Sequence, residues 1–208
     1  KKSIMRFTGI LLLVLTQLLL IAQQTEDAVV LSQSGKYAAA EKIFSRLILP
    51  DIKNANLLVA SGFNLAWNKE YASAKQRFLA ALHLEPAHVE AAKGLAYTYL
   101  YEGSYSKAAA HFEQLSKADS NSQELHIAAG LAYMNLLKKG KALKHFEDVL
   151  KINKNNTEAK KYIAQIKSGR GIVELSSLGG LSSSGNQSKF GLRQLQAGYH
   201  INSENFIY

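Results

Sequence analysis

The chain has 208 residues with 47% apolar and 20% charged side chains, room for one or two globular domains, which excludes a largely disordered chain and a polytopic membrane bundle. It contains no cysteine, so disulfide scaffolds, thiolate zinc sites, iron–sulfur clusters and cysteine nucleophiles are excluded. The net charge of +9 is uneven: residues 1–22 carry +3, 23–137 carry −1, 138–170 carry +7, and 171–208 are neutral.

Lys1, Lys2 and Arg6 precede an apolar run from Phe7 to Ala22. Sixteen helical residues span about 24 Å, short of the ~30 Å hydrocarbon core. A positive start, an apolar middle and a small residue at the end predict a secretory signal peptide over 1–22, cleaved near Ala22; a retained signal anchor is the alternative. Export is therefore the first functional expectation, and it argues against nucleic acid as a partner.

From there a 34-residue period organises the chain. Ala40, Ala74, Ala108 and Ala142 are 34 apart, and Phe44, Phe78, Phe112 and Phe146 follow each by four. Twelve residues before each alanine stands a small residue: Ala28, Gly62, Ala96 and Gly130. Leu31, Leu65, Tyr99 and Tyr133 form another column; Tyr37, Tyr71 and Tyr105 form one that fails at Lys139. Each unit reads as two helices and a short turn, such as 55–68 and 71–84, with Ala and Phe on one face of the second helix. The small residue and the alanine let the two axes approach. One hairpin cannot cover its apolar face alone, so neighbours must stack. Gly35 and Gly103 suit the turn between helices, and Pro86 suits the first turn of the next helix. Residues 156–167 predict a further amphipathic helix that caps the last unit, with Ala159, Tyr162, Ile163 and Ile166 on its apolar face.

These columns resemble the tetratricopeptide repeat (TPR) family, the second unit most closely through Gly62, Phe63, Leu65, Tyr71, Ala74, Phe78, Ala81 and Pro86. The resemblance covers about residues 21–156. The expected fold is all-α: a TPR solenoid of about four hairpins plus a capping helix over 23–168. It also implies a concave groove lined by the first helices, which binds a protein or peptide. Carried over, the groove positions are Val59, Phe63 and Trp67; then Lys93, Tyr97, Leu100 and Tyr101; then Ile127, Leu131 and Met134. Phe63, Trp67, Tyr97 and Tyr101 recur at i, i+4 on two successive first helices. They form either an open aromatic patch suited to a peptide or a sugar ring, or packing between repeats. The Lys and Asn pattern of a carboxylate clamp is absent, so chaperone-tail binding is not expected.

Nothing predicts catalysis. No HExxH helix, G-x-S-x-G elbow or phosphate-binding glycine loop occurs. His83, His88, His111, His126, His145 and His200 read as lone helix-surface residues, with His111 and His145 at one repeat position. No enzyme activity, cofactor or metal site is expected. The basic run Lys138, Lys139, Lys141, Lys144, Lys151, Lys154, Lys160 and Lys161 reads as a solvated face, with contact to anionic headgroups or an acidic polymer as the sharper option.

Beyond Lys167 the composition changes: residues 169–208 hold seven of the fourteen glycines and seven serines. Leu195, Ala197, Tyr199 and Ile201 alternate with polar or small residues, the period of a strand. The turn 202–205 leads into Phe206-Ile207-Tyr208. The tail predicts a Gly/Ser-rich linker and the start of a β-barrel or β-hairpin, with more strands expected downstream; a small soluble β appendage or an unstructured tail are the alternatives. Signal peptide, TPR array and β-rich end together resemble YaiO-like outer-membrane proteins and cellulose-export outer-membrane subunits. That resemblance implies a periplasmic scaffold attached to an outer-membrane barrel in a Gram-negative bacterium, serving exopolysaccharide export. A free periplasmic adaptor with a flexible tail is the other expectation.

Overall fold

The computed structural model describes residues 2–48 and 54–168; the strands expected in 169–208 lie outside the described residues. What is described is all-helical and forms two compact units that meet in sequence at Ala87 and His88. The first unit contains α1 (Lys2–Gln33), α2 (Tyr37–Leu47), α3 (Ala55–Trp67) and α4 (Tyr71–Leu84). The second contains α5 (Val89–Glu102), α6 (Tyr105–Ala118), α7 (Gln123–Asn135), α8 (Lys139–Ile152) and α9 (Thr157–Ser168).

Two further columns set the helix ends. Each first helix from α3 onward is capped by a side chain at one repeat position. Leu57 N–H donates to Asn54 Oδ1 (3.0 Å), Ala91 N–H to His88 Nδ1 (3.4 Å), Leu125 N–H to Ser122 Oγ (3.4 Å) and Ala159 N–H to Asn156 Oδ1 (2.8 Å). Each bond satisfies one of the orphan donors of a helix start. Because Asn156 stands in this column, α9 begins as the first helix of a fifth unit, which explains why it packs on α8.

The turns between paired helices repeat as closely. Gly35, Lys69, Gly103 and Leu137 all have positive φ (80°, 65°, 87° and 57°). The next amide closes each turn on the preceding helix: Lys36 to Leu31 O (2.9 Å), Glu70 to Leu65 O (2.8 Å), Ser104 to Tyr99 O (2.8 Å) and Lys138 to Tyr133 O (2.9 Å). That is the left-handed ending favoured by glycine; Lys69 and Leu137 bear a conformational cost of about 1 kcal/mol for holding it. Pro86 does not enter a first turn: α5 starts at Val89 behind its cap His88, and Pro86 sits in the turn before them. The cap position needs a side-chain acceptor, so the helix starts there and not at the proline.

The alanine and phenylalanine columns are the core. Ala40, Ala74, Ala108, Ala142, Phe44, Phe78, Phe112 and Phe146 are all fully buried. The small residue does more than bring axes together. A Cβ on Gly62 would lie 2.8 Å from Phe78 Cε1, and one on Gly130 would lie 2.6 Å from Phe146 Cε1. The phenyl ring therefore occupies the space a side chain would take. In the first unit, Ala28, Val29, Ala40, Phe44, Leu47, Leu57 and Ala60 join both hairpins in one cluster, which Ile21 flanks.

α1 runs unbroken from the apolar N-terminal segment into the first repeat. Its packed part starts at Ile21 and includes buried Thr25, Ala28, Val29 and Ser32, while Ile10 to Leu13, Leu15, Leu19 and Leu20 are exposed. Among the described residues one helical stretch, Ile10–Gln33, is long and apolar enough to cross a membrane, with mean hydropathy 1.3.

Candidate functional site

Functional side chains gather on the first helices within each unit, and around a pocket between the third and fourth repeats.

On α3, the whole predicted trio is buried. Val59 is fully covered; Phe63 packs edge-on against Phe78 (5.1 Å between centroids) and stacks with Trp67 (6.0 Å). On α5, buried Tyr97 meets Phe112 edge-on at 4.8 Å and stacks on Tyr101 at 6.1 Å. Of the two readings, packing rather than an open patch therefore describes Phe63, Trp67 and Tyr97. Rings that abut the small-residue position face the phenylalanine of their own hairpin, and helical spacing alone cannot tell that face from an open one. On α7, Ile127 and Met134 are buried. Lys93, Leu100, Tyr101 and Leu131 remain half-buried. Trp67 Nε1 is buried with no hydrogen-bond partner among the described residues.

α5 and α7 also share a polar cluster. Tyr97 OH donates to Glu124 Oε1 (2.8 Å), and Lys93 Nζ lies 3.5 Å from Glu124 Oε2 and 3.6 Å from Glu90. Burial, reinforced by the Glu124 carboxylate, pushes the Tyr97 hydroxyl well above its ordinary pKa, so it stays a donor.

In the first unit the corresponding contacts centre on Glu41. It accepts from Ser61 (3.2 Å) and from fully buried Asn64 Nδ2 (3.1 Å), and pairs with Arg77 (3.5 Å). Ser32 Oγ donates to Asn64 Oδ1 across the first helices at 2.8 Å. Asn64 Nδ2 also donates to Tyr37 O (3.2 Å), so both groups of the buried amide are engaged within the protein.

The pocket, a half-open cavity of about 370 Å³, is lined by α6, α7, α8 and the turn before α7. Its wall includes Glu113, Tyr133, Lys141, His126, His145 and Asp148. Tyr133 OH donates to Glu113, which also pairs with Lys117 (3.4 Å) and Lys141 (3.9 Å). The Tyr133 bond, aided by these ammonium groups, lowers the Glu113 carboxyl pKa. His126 and His145 are buried, which corrects their reading as surface residues. Burial lowers the pKa of His145, and of His111 in the preceding repeat. His145 stacks on Tyr133 (5.6 Å) as His111 stacks on Tyr99 (5.4 Å), one repeat-wide pairing. His83 is exposed, and His88 serves as a helix cap.

The paired helices, their common caps and their left-handed turns define a tetratricopeptide-like helical repeat. The chain is similar in structure to MamA of AMB-1, with 16% identity and a TM-score of 0.62 over 88% of this chain and 95% of that one. A MamA structure from Desulfovibrio magneticus RS-1 gives 14% identity and 0.65 over 86% and 96%. A tetratricopeptide repeat protein from Parabacteroides merdae gives 21% and 0.61, over 72% of this chain and 61% of that one. No protein-family model matches the chain, and no curated protein does. At these identities the likeness establishes the TPR-like fold.

Proposed function

We propose that this chain is a non-enzymatic scaffold that docks a protein partner on the first helices of its repeats. The observation that carries this reading is the half-open row of Lys93, Leu100, Tyr101 and Leu131 beside the Glu124 cluster, on a TPR-like fold. Such a row offers apolar area edged by charge, the mixture protein interfaces use. The apolar segment before the repeats supports export, and the alternating tail supports attachment to an outer-membrane barrel; the specific reading is a periplasmic scaffold for exopolysaccharide export.

A photo-crosslinker at Leu100 or Leu131, used in intact cells, tests both levels. The expected result is a discrete crosslinked partner, recovered with the outer membrane, that Leu131→Glu abolishes without changing the melting temperature. Equal crosslinking from exposed Ala110 on α6 would refute the docking face, and recovery in the soluble periplasm would leave a free adaptor.

A further inference from the structure

His126 comes from α7 and His145 from α8, and their Nδ1 atoms face each other at 3.2 Å. His126 Nε2 lies 3.2 Å from Ser120 O. A carbonyl only accepts, so Nε2 carries the ring proton and Nδ1 presents a lone pair. If His145 takes the same tautomer, two lone pairs converge on one point. Two imidazole nitrogens on a single zinc ion, each at 2.0–2.1 Å and near the tetrahedral angle, stand about 3.3 Å apart. The observed spacing matches two ligands on one ion; without the ion, His145 Nδ1–H donates to His126 Nδ1 across the same 3.2 Å, and metal binding would displace that proton.

Asp148, one turn beyond His145, supplies a carboxylate; the three donor atoms all lie within 4.8 Å of one another. Rotation of the half-buried Asp148 side chain closes the remaining gap. Its present partner is the exposed Lys151 ammonium (2.7 Å), a surface pair that exchanges readily. Ser120 O behind His126 is the type of acceptor that orients ligating histidines, and the Tyr133 ring stacked on His145 fixes the other imidazole. The cavity beside the donors leaves room for water as the remaining ligand.

We propose that His126, His145 and Asp148 bind a divalent transition-metal ion of the zinc type. Two imidazoles and one carboxylate select such ions over magnesium and calcium, which take oxygen ligands. Lys151 on Asp148 and Lys144 in the pocket wall are the cations that oppose the site; Lys117 and Lys141 share the single carboxylate of Glu113. Imidazoles bind as neutral ligands, so these cations weaken the site without abolishing it. A bound ion would tie α7 to α8.

The test uses the full chain in detergent micelles, stripped of metal, titrated with Zn2+ by calorimetry and with Co2+ by visible absorption. One equivalent binds, Zn2+ raises the melting temperature, and His126→Gln and His145→Gln each weaken binding by roughly tenfold or more. Asp148→Asn, which leaves the buried ring pair alone, weakens it as well and keeps the test decisive should a histidine variant misfold. His83→Gln and His200→Gln leave it unchanged. Binding no tighter than about 1 mM, or an isotherm unaltered by Asp148→Asn and by the folded histidine variants, overturns the proposal.

Discussion

Ala108→Glu is expected to destabilise the second unit sharply, while Ala110→Glu on the same helix leaves its stability intact. Ala108 is fully buried in α6, in the column that its hairpin closes on; Ala110 is exposed. A carboxylate at 108 would have to lose its water without gaining a partner, since this column consists of alanine methyls and phenyl rings. The cost is about 4 kcal/mol or more, against a total stability of roughly 5–15 kcal/mol for a domain. A surface glutamate at 110 falls within about 0.5 kcal/mol of the parent. Urea melts of the two variants read the difference. Equal midpoints would mean that position 108 is not the hairpin crossing.

Phe112→Ala should cost about 3–5 kcal/mol, the range for deleting a buried ring and leaving a cavity. Phe112 is fully buried, and its ring meets Tyr97 edge-on at 4.8 Å. Tyr97 cannot swing in to fill the hole, because its hydroxyl is held by Glu124 at 2.8 Å and its other side stacks on Tyr101. The loss therefore sits toward the upper end of the range. The near-ultraviolet signal of Tyr97 should change with it, while helical content at low temperature holds. A loss below about 1 kcal/mol would show that the ring is a surface residue.

The parts of the fold that a linear pattern can encode were readable. Alanine and phenylalanine four apart must share a helix face, and a 34-residue recurrence must be one hairpin per unit, so Ala55, Tyr71 and Leu84 mark helix ends within a residue of the expectation. Columns of mixed residue type were hidden. Asn54, His88, Ser122 and Asn156 do one job with three chemistries, and Lys69 and Leu137 stand where glycine would announce the turn.

The candidate sites were less legible for a related reason. Phe63 and Trp67 at i, i+4 define a face, but only the position of Phe78 shows what covers it. The His126–His145 pair was missed because the residues are 19 apart and occupy different columns. A signal did exist. Gly130 against Phe146 fixes the alignment of the hairpin, and His126 lies one turn before the former while His145 adjoins the latter. Reading columns across the two helices, as well as down each one, would have joined them.

That alignment is also where the account can be tested most directly, through a mutant cycle on Gly130 and Phe146. Gly130→Ala adds a methyl 2.6 Å from the Phe146 ring, which is fully buried and has nowhere to go. Overpacking of about 1–3 kcal/mol opposes the ~1 kcal/mol that alanine gains over glycine as a helix former. Phe146→Leu, combined with Gly130→Ala, vacates the ring's place for the methyl. The double variant should be more stable than the sum of the single changes by about 1 kcal/mol or more, measured by chemical denaturation. Strict additivity would place the glycine and the ring apart, and would contradict the hairpin register on which the whole description rests.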